Sequence, residues 1–64
     1  MYESVVIVWK GVKYILNYNT NALSPEMIPR IAKERCEDDI DCLIEILCVD
    51  FDSSLEEYKE INLD

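Results

Sequence analysis

The sequence predicts an α+β domain in which an N-terminal β-hairpin precedes a short helix and a long acidic C-terminal helix. Three observations predict this fold. Two apolar, β-branched segments flank the single glycine of the chain, a Ser-Pro-Glu helix start follows, and apolar residues recur at helical spacing through the last third. With 64 residues the chain has room for one core, so we expect residues 1–64 to form a single small acidic domain.

The hairpin is predicted for residues 2–18. Lys10-Gly11 separates two segments rich in aromatic and β-branched side chains, and the glycine supplies the positive φ that a tight turn needs. A two-residue turn would place the following residues opposite each other: Trp9 and Val12, Ile7 and Tyr14, Val5 and Leu16, Glu3 and Tyr18. Because nearly all of these are apolar, we expect this face to pack on the long helix.

The opposite face of the hairpin is too apolar for a surface wholly in water. It carries Val6, Val8 and Ile15 among polar residues. We therefore expect another surface to cover these three side chains.

A short helix is predicted after the hairpin. Ser24 is a suitable N-cap, and Pro25 suits the first turn of a helix. Pro29, however, would remove a hydrogen bond from a helix that began at Pro25. Either residues 25–28 form a separate turn or the helix begins at Pro29, and in both cases it runs to about Cys36.

The last third of the chain predicts one long helix, because nine apolar residues fall on one side at 3.6 residues per turn. They are Ile40, Leu43, Ile44, Leu47, Cys48, Phe51, Leu55, Tyr58 and Ile61. The alternative is a ββαβα order with a third strand near residues 42–50. In that case a second helix would restart at Ser54, which could form a capping box with Glu57.

Charge is distributed unevenly along the chain, whose formal net charge is −8. Residues 1–35 have a net charge of +2, and residues 36–64 have a net charge of −10. Self-repulsion within such a segment costs stability, so the asymmetry indicates an interaction surface. The simpler alternative is a solvated acidic face that keeps a small protein soluble.

On a long helix, five carboxylates would form a row on one polar face: Asp41, Glu45, Asp52, Glu56 and Glu60. Helical residues four apart are separated by about 6 Å along the axis, which is close to the scale on which phosphates repeat along a nucleic-acid strand. The first functional hypothesis is therefore a small inhibitor or regulator, of the phage or mobile-element type. It would occupy the basic site of a nucleic-acid-handling protein with these residues, as a DNA mimic does.

One short segment has a counterpart in a known family. Glu3-Ser4-Val5, which opens an apolar strand, resembles the Glu-Ser-Ile element of the uracil-DNA glycosylase inhibitor proteins, which are also small acidic DNA mimics. The resemblance covers three residues of 64, and in that family the element precedes a larger sheet. It implies that a protein of this size and charge can act by such a mechanism.

The second functional hypothesis is a homo-oligomeric or adaptor module that recognises its partner through an apolar patch, either the hairpin face with Val6, Val8 and Ile15 or a patch on the long helix. Cys42, Ile46 and Val49 would form a second apolar patch on the long helix, away from its main apolar side. Burial of this patch against another subunit predicts an oligomer interface, and a homodimer is the simplest case. A helix packed on both sides within one chain is the alternative.

Catalysis and cofactors are not expected. The chain contains no histidine, which is the commonest general base near neutral pH and the commonest metal ligand. The three cysteines recur every six residues, so on one helix they would point in three directions. We interpret them as small core hydrophobes, with a redox or metal role as the alternative.

Location and partners follow from the same composition. Three cysteines without a C-x-x-C pair favour a reducing cytoplasm, and the first residues lack the basic segment of a signal peptide. The net negative charge argues against direct nucleic-acid binding, and no apolar run is long enough for a membrane span. The expected partner is a protein with a basic surface, of the nucleic-acid-binding kind.

Overall fold

The structure is a computed structural model, and it describes residues 1–59. The helices and strands, in chain order, are β1 (Tyr2–Trp9), β2 (Val12–Asn19), a 3₁₀ turn (Pro25–Met27), α1 (Ile28–Cys36), α2 (Ile40–Phe51) and β3 (Ser54–Glu57). The three strands form one antiparallel sheet with β2 in the centre. The helices cover one face of this sheet, which confirms the α+β class.

The predicted hairpin is confirmed, including its register. The four predicted cross-strand pairs are all present, from Glu3 opposite Tyr18 to Trp9 opposite Val12. Lys10 and Gly11 have φ angles of 51° and 78°, as a two-residue turn with positive φ at both positions requires. The turn therefore matches the right-handed twist of the two strands.

The segment after the hairpin follows the first of its two predicted alternatives. Residues Pro25–Met27 form a separate 3₁₀ turn, and α1 begins at Ile28 with Pro29 inside its first turn. At that place the missing N–H of a proline has no intrahelical partner to lose. The helix ends at Cys36 as predicted.

The predicted long C-terminal helix is wrong, because α2 ends at Phe51. Asp52 has a left-handed φ of 51°, and the N–H of Ser53 donates to the Leu47 carbonyl at 2.9 Å. A residue in the left-handed conformation, with backbone N–H groups bonded back to the last turns, closes a helix. Aspartate adopts the left-handed conformation at lower cost than most residues, so Asp52 can end the helix without a glycine.

The chain beyond α2 forms a strand. Residues Ser54–Glu57 pair with β2, and Leu55 lies opposite Leu16. The alternative with a strand near residues 42–50 and a helix from Ser54 is therefore also wrong, since α2 occupies the first segment and β3 the second. The capping box of Ser54 with Glu57 does not form in a strand. Ile61, the last residue of the predicted apolar stripe, lies outside the described residues.

The core lies between the sheet and the two helices. Leu16 on the central strand and Leu43 and Leu47 on α2 are completely buried. The other buried hydrophobic residues are Tyr14, Leu23, Ile28, Ile31, Ala32, Cys36 and Leu55. Of the predicted hairpin face, Ile7 and Trp9 pack against this cluster at its margin, whereas Val5 is 36% exposed.

Candidate interaction surfaces

The predicted row of carboxylates does not exist as one row. Asp41 and Glu45 lie on α2 and are exposed, four residues apart as predicted. Asp52 lies at the C-cap of α2, and Glu56 lies on β3 opposite Ile15. Glu60 lies outside the described residues. The helical spacing holds for the first two positions only, because the helix ends before the others.

Asp52 connects the end of α2 to the hairpin. Its carboxylate accepts hydrogen bonds from the Tyr2 hydroxyl and, at 3.4 Å, from the Asn19 side-chain amide. The hydrogen bond to Asp52 raises the pKa of the Tyr2 hydroxyl above its ordinary value. A carboxylate with these two donors within its own chain is better placed to hold the fold together than to meet a partner.

The acidic residues concentrate where α2 begins. Glu37 and Asp38 occupy the connection from α1, both with positive φ, and Asp39 is the N-cap of α2. The Asp39 side chain accepts from the Asp41 N–H at 2.9 Å, and its negative charge suits the positive end of the helix. Together with Glu45 they form what we call the acidic helix start, an exposed group of five carboxylates at residues 37–45.

Two arginines form ion pairs on the helices. Arg35 on α1 contacts Asp50 on α2 at 2.9 Å, and Arg30 lies 3.8 Å from Glu34 within α1. Both pairs are substantially exposed, so each contributes little to stability. They do, however, neutralise Asp50 and Glu34 locally, which leaves the acidic helix start as the stronger source of negative potential.

The patch predicted as an oligomer interface is mostly packed against its own chain. Cys42 and Ile46 are half-buried and pack against the core, whereas Val49 is 74% exposed. The packing of Cys42 and Ile46 agrees with the alternative interpretation, in which the helix packs on more than one side within one chain. A role for these three residues in oligomerisation stays a prediction.

The sheet face away from the helices also has exposed apolar side chains. Val6 is 52% and Val8 65% exposed, and Ile15, opposite Val6, is half-buried. Polar residues surround them, namely Ser4, Lys13, Asn17, Ser54 and Glu56. We call this surface the open face. An apolar centre with a polar rim is typical of a protein interface, and no element within residues 1–59 covers it.

Strand β1, which carries Val6 and Val8 of the open face, is an edge strand of the sheet. The Thr20 N–H donates to the Met1 carbonyl at 2.9 Å, so the odd-numbered residues of β1 bond to β2. The backbone N–H and C=O groups of Ser4, Val6 and Val8 therefore point to the free edge, which pairs with no strand in the described part of the chain. The edge is eight residues long and has no proline. Natural sheets usually protect an edge of this kind.

The free edge of β1 is also the least charged border of the sheet. Glu3 is the only charged residue of this strand, and its carboxylate accepts a hydrogen bond from the Tyr18 hydroxyl at 3.1 Å. That bond raises the pKa of Tyr18 above its ordinary value. The opposite border, β3, carries Glu56 and Glu57. An acidic partner could thus approach β1 with less repulsion than β3.

Two of the cysteines lie in direct contact, which the sequence reasoning missed. Cys36 ends α1, Cys42 lies in the first turn of α2, and their sulfur atoms are 2.7 Å apart. Burial is the largest cause that raises the pKa of the Cys36 thiol to about 11, and its hydrogen bond with Cys42 adds to the rise. The sequence analysis treated the three cysteines as if they lay on one helix, whereas Cys36 ends α1 and Cys42 lies on α2. The turn between the two helices brings their sulfur atoms together.

Cys48 lies apart from this pair. It is exposed and lines a broad, open depression of about 300 Å³ together with Tyr2, Asn17, Asp52, Ser53 and Ser54. The depression is shallow and bordered by the hydrogen bonds of Asp52, so it has no enclosed space for a small molecule.

Residues 1–59 contain neither a cluster of metal ligands nor a helix suited to spanning a membrane. No group of three or more His, Cys, Asp or Glu side chains in that range could hold a metal ion. None of the helices described there combines the length and the apolar character that crossing a bilayer takes.

Comparison of the chain with protein-family models, with curated proteins and with solved structures finds no match. The resemblance of Glu3-Ser4-Val5 to the glycosylase inhibitors therefore stays at three residues. In this fold Glu3 is bonded to Tyr18 within the hairpin.

Proposed function

We propose that this protein is a small acidic interaction module that binds another protein through β1. The single observation that carries the proposal is an eight-residue edge strand with free backbone groups beside the exposed apolar side chains of the open face. A partner strand would add to this edge as a fourth strand, because the free N–H and C=O groups are already aligned for it. The partner strand comes from a second copy of the chain, as in a homodimer, or from another protein.

Side chains of the open face would supply the apolar part of this contact. Complete burial of a valine contributes about 1.5–3 kcal/mol relative to its exposed state. Val6 and Val8 retain more than half of their exposure in the single chain, so much of this free energy is still to be gained. Binding of this type depends weakly on salt, because apolar contacts and main-chain hydrogen bonds carry it.

We expect Val8→Lys to weaken partner binding by at least about tenfold, because it places a charge in the apolar centre of the contact. Val49→Lys is the comparison variant, since Val49 is a comparably exposed valine on α2 and belongs to the other apolar patch, which the same assay tests. Both variants should keep the circular dichroism of the parent protein. Sedimentation of the untagged protein over a range of concentrations measures self-association, and affinity capture at low and high salt measures other partners. Equal effects of the two variants, or no effect of Val8→Lys, would contradict binding through the open face.

A second candidate function is the acidic inhibitor that occupies the basic site of a nucleic-acid-handling protein. The observation that favours it is the acidic helix start, where five carboxylates lie within residues 37–45. Asp41 and Glu45 would carry the contact, whereas Asp52 is engaged with Tyr2 and Asn19. This mode of binding draws on electrostatic attraction, so it depends steeply on salt.

For this second candidate we expect the double variant Asp41→Lys, Glu45→Lys to abolish capture of a basic partner. Both side chains are exposed, so the variant should still fold. The corresponding amide variant, Asp41→Asn with Glu45→Gln, should show a smaller loss because it removes charge without reversing it. If capture persists in both variants and at high salt, the acidic helix start affects solubility alone.

A further inference from the structure

Cys36 and Cys42 lie on different helices, and their sulfur atoms face each other. The distance of 2.7 Å is longer than the 2.03–2.05 Å of a disulfide bond by roughly 0.7 Å. Cys36 is 5% exposed and Cys42 is half-buried, so reagents in solution reach the second sulfur more easily than the first. The pair is thus close together and unequally accessible, as in a dithiol where one thiol reacts first and the other resolves.

The connection between the helices holds the two cysteines in this position. The Asp38 N–H donates to the Ala32 carbonyl at 2.8 Å, and the Asp39 N–H donates to the Cys36 carbonyl at 2.9 Å. Asp39 then caps α2 by accepting from the Cys42 N–H at 3.5 Å. Backbone hydrogen bonds therefore fix the end of α1, which carries Cys36, and a capping hydrogen bond fixes the start of α2, which carries Cys42.

We propose that Cys36 and Cys42 form a reversible disulfide, so that the α1–α2 connection is a redox-sensitive site. The oxidant is a low-molecular-weight disulfide such as oxidised glutathione. Cys42 loses its proton and attacks one sulfur of that disulfide, whose S–S bond breaks as one glutathione thiolate leaves and takes up a proton. Cys36 then loses its proton and attacks the Cys42 sulfur, and the second glutathione leaves in the same way. Two protein thiols are oxidised, and one glutathione disulfide is reduced to two thiols.

The reverse reaction with reduced glutathione restores both thiols, so the redox state follows the glutathione ratio. In the chain-entropy model, closure of this short loop stabilises the folded state mainly by restricting the unfolded chain. We expect the unfolding equilibrium constant of the oxidised protein to be lower by roughly tenfold or more. The disulfide would also fix the beginning of α2, where the acidic helix start lies.

The test equilibrates the full chain with oxidised and reduced glutathione, traps free thiols with iodoacetamide and measures the intact mass. We expect a species that has lost two hydrogen atoms and carries one trapped thiol, at Cys48, with peptide mapping that joins Cys36 to Cys42. Cys48→Ser should form the same internal disulfide. Cys36→Ser should stop at the mixed disulfide of Cys42 with glutathione.

Three outcomes would overturn the proposal. The first is a mixed disulfide at Cys42 that persists at equilibrium in the parent protein. The second is a disulfide between chains that uses Cys36 or Cys42 in place of the internal pair, and the third is equal trapping of all three thiols at every glutathione ratio. Because the parent protein is measured directly, a variant that fails to fold does not decide the result.

Discussion

Leu16→Ala is expected to destabilise the protein by about 2–5 kcal/mol and to leave little folded protein at 37 °C. Leu16 lies at the centre of β2, is completely buried and faces both edge strands, with Val5 on one side and Leu55 on the other. A domain of this length has a total stability of roughly 3–10 kcal/mol. The cavity would therefore remove much of that stability. Urea denaturation followed by circular dichroism measures the loss.

Val8→Ala is the matched control for this truncation, because Val8 lies on a neighbouring strand but is 65% exposed. Its effect should stay within about 0.5 kcal/mol. Equal destabilisation by the two substitutions would contradict the placement of the core between the sheet and the helices, since it would require the open face to be buried as well.

Glu56→Pro is expected to destabilise the fold by about 2 kcal/mol or more, although Glu56 is exposed and lies near the end of the chain. The Tyr58 N–H donates to the Lys13 carbonyl at 2.9 Å, and the ladder alternates, so the Glu56 N–H faces β2 in the same way. Proline there removes a ladder hydrogen bond and leaves a carbonyl of β2 without its donor. Thermal unfolding measures the effect.

Val6→Pro provides the contrast, because the Val6 N–H points to the free edge of β1 and bonds to no strand among the described residues. Proline is tolerated on edge strands at such positions. We expect Val6→Pro to lower the unfolding temperature by less than half as much as Glu56→Pro. A reversed order of the two effects would mean that β1 and β3 do not have the edges assigned to them.

The sequence predicted the hairpin well because its information is local. The strands have β-branched and aromatic residues on either side of one glycine turn, and a two-residue turn determines the register of every pair from Trp9 and Val12 outward. The separate turn before α1 was one of two alternatives that the sequence left open, because Pro25 and Pro29 both suit the first turn of a helix and only one helix start was expected.

The end of the chain was predicted wrongly because β3 is too short to show an alternating pattern. Of its four residues only Leu55 is buried, and Leu55 also continues the four-residue spacing from Leu47 and Phe51. Periodicity therefore could not distinguish a strand from another turn of helix. The signal that was overlooked is Asp52-Ser53-Ser54, three residues of low helix propensity in a row.

The prediction of the candidate surfaces also succeeded where it depended on the hairpin and failed where it depended on the long helix. Val6, Val8 and Ile15 share one face of the hairpin, as the register predicted, and the cover expected for them is not supplied by any element of residues 1–59. The row of carboxylates depended on the long helix, and only Asp41 and Glu45 keep the predicted spacing. The contact of Cys36 with Cys42 depends on the connection between α1 and α2. The spacing of residues within either helix carries no information about that connection.

The most direct test of binding through β1 is affinity capture from a lysate of the source cells to which an untagged copy of the protein has been added. Three tagged proteins are compared: the parent protein, Val6→Pro, and the double variant Asp41→Lys with Glu45→Lys. If β1 is the binding edge, one partner, or the untagged copy, is captured at low and high salt, is retained by the double variant and is lost with Val6→Pro. Capture that survives Val6→Pro but is lost at high salt and in the double variant would contradict it and favour the acidic helix start.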